Sequence, residues 1–264
     1  MKIALQLYSV RDALEKDFLG TLQQIKAMGY DGVEFADLHG KTPTELKDLC
    51  EQAGLLPLSG QIWESVLEDP KSVISYYAQS GIGYVVFSLG FDLDTGKFVC
   101  DVEKPKAACK AAKELGLVPL YHNHNAEFKT IDGKVNYYAL FDAIGEDLMA
   151  EPDLCWVQVA GVDPIEHLKR YAGRVPVVHL KDYWLPEDAA GIPHYGDIDE
   201  EEGAQFEFRP MGMGLLNLKA AVYAAKDAGA QILVVEQDFP TLGMTVLECA
   251  KISIDRLKEV MHEY

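Results

Sequence analysis

The feature that most constrains the fold is a unit of strand, helix and glycine that repeats along all 264 residues. Short apolar runs typical of strands alternate with segments that carry apolar residues at helical spacing. Four of the helical segments stop at a glycine just before the next apolar run, at Met28-Gly29, Ala53-Gly54, Leu115-Gly116 and Ala228-Gly229. Eight alternating strand–helix units favour a closed (β/α)8 barrel, the TIM barrel, over an open sheet. We therefore predict an α/β protein with a single TIM-barrel domain over residues 1–264.

The composition narrows the class of partner. A formal net charge of -18 argues against nucleic acid, whose phosphates need a basic surface, and against an anionic membrane surface. The five cysteines are scattered, with no Cys-x-x-Cys pair, which predicts reduced thiols and a cytoplasmic location. No apolar run approaches the ~20 residues that a membrane helix needs, and the first strand begins without a signal-peptide pattern. The Gly-x-Gly-x-x-Gly motif of dinucleotide sites is missing after that strand.

Ionisable residues follow the apolar part of five of the eight predicted strands. In a barrel the carboxyl ends of the strands surround one opening, so residues far apart in sequence converge there. The residues are Glu34 after the second strand, His122, Asn123, His124 and Glu127 after the fifth, Asp153 after the sixth, His179 after the seventh and Glu236 after the eighth. Lys181 lies on the same side of its strand as His179 because side chains alternate with a two-residue period. Taken alone, each residue also has a structural explanation, such as a core histidine or a turn cap.

The residue types at these ends are suited to a divalent metal. Carboxylates and imidazoles without a thiolate can bind Mn²⁺, Mg²⁺, Co²⁺ or Zn²⁺, and they do not resemble a structural zinc site. Such an ion polarises a carbonyl oxygen and a neighbouring hydroxyl. A carboxylate beside it can move a proton through an enediolate, and Lys181 would stabilise the negative charge that develops on oxygen.

Further residues near these ends are candidates for substrate contacts. Trp63 and Trp184 follow the third and seventh strands, where an indole either stacks on a sugar face or packs in the core or a lid. Arg209 closes a loop of about thirty residues after the seventh strand, which is long enough to be a lid. We interpret the acidic run at 197–202 as solvated loop. The Gly-rich segment at 211–214 is interpreted as a loop-to-helix joint, with anion binding as the weaker alternative.

At these residues the chain resembles the sugar phosphate isomerase/epimerase superfamily, the xylose isomerase-like TIM barrels. The motifs that carry the resemblance occur in family order: Gly-Tyr-Asp-Gly-Val-Glu at 29–34, Tyr-His-Asn-His at 121–124 with Glu127-Phe128, Asp-Leu-Cys-Trp at 153–156, Ala-Gly-Val-Asp-Pro at 160–164, Gly173-Arg174, His-Leu-Lys-Asp at 179–182 and Val-Glu-Gln-Asp at 235–238. The resemblance implies one divalent metal ion, with Mn²⁺ as the first choice, held by a Glu/Asp/His/Glu-type set.

The resemblance implies that Asp153, His179 and Glu236 are three of the metal ligands. Many relatives have Glu-Asn-His at the end of strand five, where this chain has His122-Asn123-His124. The fourth ligand is therefore either His122, our first choice, or Glu127 from the following loop. We expect catalytic roles for Glu127, Glu236, Lys181 and His124, and substrate contacts from Glu34, Trp63, Asn123, Trp184 and Arg209.

Two reactions follow from this set of residues. The first is isomerisation or epimerisation of a small ketose or keto-sugar by proton abstraction next to a carbonyl. The alternative is a lyase or dehydratase that uses the same site on a keto-glycoside or inosose, because the His-Asn-His form is similar to a branch linked to keto-sugars. A DNA-repair endonuclease of the endonuclease IV type is disfavoured by the charge of -18 and by only seven histidines. A non-catalytic sugar-binding barrel and a homo-oligomer stay open at this point.

Overall fold

The barrel is built from eight parallel strands in a computed structural model that describes residues 1–63, 68–90, 97–98, 101–186 and 206–263. The strands are β1 (Lys2–Gln6), β2 (Gly32–Phe35), β3 (Leu56–Trp63), β4 (Tyr84–Ser88), β5 (Val118–His122), β8 (Met149–Glu151), β9 (Val177–Leu180) and β12 (Ile232–Val235). Two short antiparallel hairpins add β6 (Thr130–Ile131) with β7 (Lys134–Val135), and β10 (Asp182–Trp184) with β11 (Glu207–Arg209). The predicted TIM barrel is confirmed.

The strands pair in the order β8-β5-β4-β3-β2-β1-β12-β9. Each barrel strand therefore lies beside the barrel strands that come before and after it in the sequence, and the first strand pairs with the last. The ring closes between the two ends of this order. There Asp153 forms a parallel bridge with His179, and the His179 backbone N–H donates to the carbonyl oxygen of Pro152 at 3.0 Å. Two residues with predicted roles in the site therefore sit at the closure of the barrel.

Helices surround the barrel between the strands. They are α1 (Arg11–Lys16), α2 (Phe18–Met28), α3 (Pro43–Ala53), α4 (Pro70–Ala78), α5 (Glu103–Glu114), α6 (Asn136–Ile144), α7 (Leu154–Val159), α8 (Pro164–Arg170), α9 (Leu218–Asp227) and α10 (Val246–His262). Thr42 caps α3 and forms a capping box with Glu45, and Pro43 occupies the first turn. Gly29 ends α2 at a φ of 101°, a left-handed conformation that glycine adopts without strain.

The interior of the barrel is apolar at its lower level and polar at its upper level. Its apolar level consists of the buried residues Ala4, Leu58, Val86, Leu120, Val177, Ile232 and Val234. Because side chains of a strand alternate between its two faces, the residue two positions further along points into the same interior. That next level holds Gln6, His122, His179 and Glu236, all of them buried. The strand period thus places the polar residues together at the carboxyl ends.

Two features differ from the elements predicted by the sequence. The sixth strand ends at Glu151, so Asp153, which is predicted directly at the end of that strand, lies two residues beyond it and caps the short helix α7. The long loop after β9 begins and ends in the β10–β11 hairpin, while its residues 187–205, including the acidic run, lie outside the described residues. Within the described ranges, no helix combines the length and the apolarity needed to span a membrane.

Candidate functional site

Four of the predicted site residues converge at the carboxyl ends of the strands. His122, Asp153, His179 and Glu236 each offer one ligand atom, and these atoms all lie within 4.8 Å of one another. His122 and Glu236 extend the inward-facing rows of β5 and β12, and the other two meet at the barrel closure. All four side chains are buried. Residues separated by more than a hundred positions in the chain therefore form one compact donor set.

His179 is held on both sides by carboxylates. Its Nδ1 lies 3.1 Å from Oε2 of Glu236, and its Nε2 lies 2.8 Å from Oε1 of Glu34. Burial lowers the pKa of His179, but the charges of Glu34 and Glu151 outweigh burial and raise this pKa well above its ordinary value. The imidazole thus has one nitrogen toward the four-residue donor set and the other toward the interior of the barrel.

Glu34 lies behind His179, away from the surface. It is fully buried, and its carboxylate also accepts hydrogen bonds from Nε2 of Gln6 at 2.7 Å and from the hydroxyl of Ser59. Gln6 and Ser59 come from β1 and β3, the two strands beside β2, and His179 comes from β9 across the barrel, so the carboxylate is fixed in one orientation. These hydrogen bonds explain how the protein tolerates the carboxylate of Glu34 at full burial. The substrate contact predicted for Glu34 stays a prediction, and the geometry places its carboxylate against a predicted ligand.

Glu151 was missed by the sequence prediction. Its side chain is fully buried on β8, with Oε1 3.6 Å from Nε2 of His179. Burial and the charge of Glu34 raise the pKa of Glu151 well above its ordinary value. A signal for this residue was present in the sequence, because Glu151 precedes Asp153 by the two-residue period of a strand.

Lys181 is a buried cation beside the donor set. Its ammonium Nζ lies 2.9 Å from Oδ1 of Asp238, 3.0 Å from Oε2 of Glu236 and 3.6 Å from Oδ2 of Asp153. It also lies 5.4 Å and 5.3 Å from the ring centroids of Trp156 and Phe208. Burial alone lowers the pKa of Lys181, but the surrounding carboxylates raise it well above its ordinary value. The lysine is thus charged and points into the site.

The donor set fits a divalent cation. Nδ1 of His122 and Oδ2 of Asp153 are buried without a hydrogen-bond partner among the described residues. Burial and the neighbouring His179 hold the pKa of His122 well below its ordinary value, so its imidazole is neutral, as a ligand must be. Burial raises the pKa of Asp153 to about 6, a shift that a nearby cation would reverse. Among the described residues, Glu127 is not part of the set.

Glu127 and His124 form a second pair beside the first. Oε1 of Glu127 accepts hydrogen bonds from the hydroxyl of Tyr121 at 3.1 Å and from the His124 backbone N–H at 3.0 Å, and lies 3.8 Å from the His124 ring atom Nδ1. The ring centroid of His124 lies 5.3 Å from that of His122. An imidazole backed by a buried carboxylate thus stands next to the donor set. The catalytic roles predicted for both residues stay predictions.

Asn123 connects the ends of two strands. Its side-chain amide accepts from the Asp153 backbone N–H at 3.2 Å and lies 3.4 Å from the Asp153 carbonyl oxygen, to which it donates. The Asp153 carboxylate in turn accepts from the backbone N–H groups of Cys155 and Trp156 at the start of α7. These bonds leave the other carboxylate oxygen of Asp153 directed to the donor set.

The remaining predicted substrate contacts lie on the rim. Trp184 is 37% exposed on β10, and the guanidinium of Arg209 lies 5.5 Å from its ring centroid. Arg209 also pairs with Glu207 at 2.6 Å and bonds the hydroxyl of Thr241. Trp63 ends β3, and its side chain lies outside the described residues. The roles predicted for these three residues stay predictions.

The Gly-rich segment before α9 contacts a carboxylate of the chain itself. Oδ2 of Asp182 accepts from the backbone N–H groups of Gly212 and Gly214, each at 2.9 Å, and Oδ1 accepts from Leu216 at 3.0 Å. The segment is therefore a joint between loop and helix, as predicted. The anion that its backbone N–H groups bind is the carboxylate of Asp182.

Comparison with protein families agrees with this architecture. A family sequence model described as "Xylose isomerase-like TIM barrel" matches residues 22–259. No curated protein sequence matches the chain.

Solved structures share the fold at low sequence identity. A sugar phosphate isomerase/epimerase from Parabacteroides distasonis ATCC 8503 superposes with a TM-score of 0.77 at 22% identity, over 97% of this chain and 93% of that one. The probable 3-DHS dehydratase AsbF from Bacillus anthracis gives 0.73 at 14% identity, over 98% and 99% of the two chains. The IolI protein, solved with a bound zinc atom, gives 0.70 at 16% identity, over 100% and 99%.

Proposed function

The chain belongs to the xylose isomerase-like TIM barrel family, and on that premise we propose that it is a metal-dependent isomerase or epimerase of a small ketose or keto-sugar. The observation that carries the proposal is the convergence of His122, Asp153, His179 and Glu236. Two carboxylates and two imidazoles match the ligand preferences of Mn²⁺, Mg²⁺, Co²⁺ and Zn²⁺. The name of the Parabacteroides distasonis protein, a sugar phosphate isomerase/epimerase, supports the substrate class.

In this proposal His122, Asp153, His179 and Glu236 hold the ion. When bound, the ion supplies Lewis-acid polarisation of the substrate carbonyl and its neighbouring hydroxyl. Glu236 takes or returns the proton on the carbon next to the carbonyl. A metal ligand can also act as this base, because a general base only needs to lie within hydrogen-bond distance of the proton that it abstracts. Lys181, charged and aimed at the same place, stabilises negative charge on the enediolate oxygen.

A second proton-transfer group completes the reaction. Family members with two metal-bound glutamates use both as an acid–base pair, but this chain has His122 at one of those positions. We assign the missing role to His124, which Glu127 contacts and which lies beside His122. An epimerase needs one group on each face of the planar intermediate, and Glu236 and His124 come from different strand ends.

A lyase or dehydratase on the same site is the second candidate. The pairing of His124 with Glu127 favours it, because elimination needs an acid that protonates the departing oxygen after the enolate forms. The name of the AsbF structure, a probable 3-DHS dehydratase, points to the same chemistry on this fold. Release of water or of an aglycone distinguishes this reaction from isomerisation.

The first experiment is elemental analysis of purified protein and of His179→Ala. We expect about one Mn, Co, Zn or Mg ion per chain, because Glu34 and Glu151 can form a second group only by sharing His179 with the four-residue donor set, and loss of this ion in the variant. His262→Ala, at an exposed histidine at the end of α10, is the matched control and keeps the ion. The loaded enzyme is then screened with keto-sugars in deuterated water. Turnover without deuterium incorporation and without a metal requirement would overturn the proposal.

A further inference from the structure

Building on the proposed function, we infer that the site takes an uncharged, unphosphorylated sugar and discriminates against the phosphate ester. The charges at the carboxyl ends of the barrel carry this inference. TIM barrels that bind a phosphate commonly hold it with the loops after the seventh and eighth strands and a helix N-terminus. In this chain those loops follow β9 and β12.

Three backbone N–H groups of the Gly-rich segment after β9 already have an acceptor. The N–H groups of Gly212 and Gly214 are directed to Oδ2 of Asp182, each at 2.9 Å, and Leu216 donates to its Oδ1 at 3.0 Å. A turn of glycine N–H groups before a helix is the arrangement that binds phosphate in other proteins. Here an internal carboxylate takes that place, so an arriving phosphate would meet negative charge.

The cations after β9 and β12 are committed to carboxylates. The loop at 236–245 contains no Lys or Arg and contributes Glu236 and Asp238. The loop after β9 contributes Lys181, which lies 2.9 Å from Asp238 and 3.0 Å from Glu236, and Arg209, which pairs with Glu207 at 2.6 Å. Binding a phosphate with either residue would require a buried or half-buried ion pair to break.

The other loops at this end do not reverse the charge. Arg11, after β1, donates to the carbonyl oxygens of Tyr8 and Asp238. The described parts of the loops after β2, β4 and β5 contribute four lysines and four acids, which are Lys41, Lys97, Lys129, Lys134, Asp37, Asp101, Glu127 and Asp132. Because these charges cancel among the described residues, the carboxylates of Asp182, Glu236 and Asp238 set the sign of the field that a phosphate dianion meets after β9 and β12, and they repel it.

The experiment compares each sugar with its own phosphate ester. D-fructose is paired with D-fructose 6-phosphate, and D-ribulose with D-ribulose 5-phosphate, on the metal-loaded enzyme. Deuterium exchange at carbon and binding by calorimetry are both measured at low and high salt. Both members of a pair present the same carbonyl and the same neighbouring hydroxyl group and differ at the terminal oxygen, so the salt dependence of their ratio isolates the charge of the phosphate. We expect the parent sugar to exchange and bind at least about ten-fold better, with a ratio that shrinks as salt screens the repulsion.

A phosphate ester that exchanges or binds better than its parent, with an advantage that falls as salt rises, would overturn the inference and leave the proposed isomerase intact. If neither member of a pair exchanges deuterium while calorimetry still favours the parent, the proposed reaction fails and the inference on charge stands. The two conclusions are thus separated by measuring chemistry and binding on the same pairs.

Discussion

Nε2 of His179 lies 2.8 Å from Oε1 of Glu34, and both side chains are fully buried. A histidine that binds a metal commonly donates its other ring N–H to a carboxylate, which fixes the tautomer and the ring orientation. Here Gln6 and Ser59 fix the carboxylate in turn. We infer that Glu34 is a positioning residue that keeps Nδ1 of His179 directed to the donor set.

Replacing Glu34 with Gln is therefore expected to weaken metal binding by about 10- to 100-fold. The amide has the size of the carboxylate but loses the charge that holds the His179 N–H. The measurement is a competitive titration of the metal-free protein with a metal-indicator dye, so it does not depend on the reaction. Ser59→Ala is the milder variant for comparison, because Glu34 then keeps its hydrogen bonds to Gln6 and His179. We expect it to lose less metal affinity than Glu34→Gln. Equal metal affinity in wild type and Glu34→Gln would contradict the positioning role.

Lys181→Met is expected to lower kcat by about 10²- to 10³-fold, as the loss of one oxyanion-stabilising group does in other enzymes. It is also expected to lower the free energy of unfolding of the metal-free protein by about 3–5 kcal/mol, because three buried carboxylates lose their cation. Urea unfolding and steady-state kinetics measure the two effects separately.

The double variant Lys181→Met/Asp238→Asn tests the cause of the stability loss. Asp238 makes the shortest contact with the lysine, 2.9 Å, so removing its charge relieves part of the repulsion. We expect the double variant to be more stable than Lys181→Met alone. An additional loss of stability would show that packing, and not charge, dominates at this position.

Much of the fold and of the donor set follows from local sequence. The capping box at Thr42 and the glycine after α2 are local signals, and both α2 and α3 end at the glycines that the sequence predicts, Gly29 and Gly54. His122, His179 and Glu236 are predictable because each continues the inward row of an apolar strand. Their convergence then follows from barrel closure, which needs only the number of strand–helix units.

Other features depend on contacts that no local pattern encodes. Leu154–Val159 is apolar and short, so nothing in its spacing separates helix α7 from a continuing strand. Strands β10 and β11 pair across a long gap in the sequence, and the pairing of Arg209 with Glu207 depends on that hairpin. Glu151 belongs to a strand of three residues, in which the two-residue alternation is too short to mark an inward-facing carboxylate.

His167 is expected to make stability depend on pH. Both of its ring nitrogens are buried without a hydrogen-bond partner among the described residues, and it packs against the rings of Phe128, Tyr137, Tyr138 and Tyr171. Burial, with a smaller effect of Arg170, lowers the pKa of His167 to about 4 in the folded protein, against 6.5 as its ordinary value. The unfolded chain binds the proton more readily, so the free energy of unfolding falls as pH decreases from 6.5 to about 4.

The expected slope from this residue is about 1.4 kcal/mol per pH unit within that window, since one unit of pKa difference corresponds to that energy. His167→Phe keeps an aromatic ring in the cluster and removes the titrating group. Urea unfolding from pH 4.5 to 7.5 should therefore show a variant that gains stability relative to wild type as the pH is lowered. Parallel curves for the two proteins would mean that His167 does not contribute to the pH dependence.

Gly214→Ala is expected to destabilise the segment that covers Asp182. A Cβ atom at position 214 would lie 2.3 Å from Oδ1 of Asp182 and 2.3 Å from the Tyr183 carbonyl oxygen, so the backbone or the buried carboxylate must move. Overpacking of this kind costs about 1–3 kcal/mol. Gly83→Ala is the matched control, because a Cβ atom there meets no other atom within 4 Å and the backbone needs no left-handed conformation. Equal unfolding free energies for the two variants would contradict this prediction, because they would show that the Gly214 turn accommodates a Cβ atom without cost.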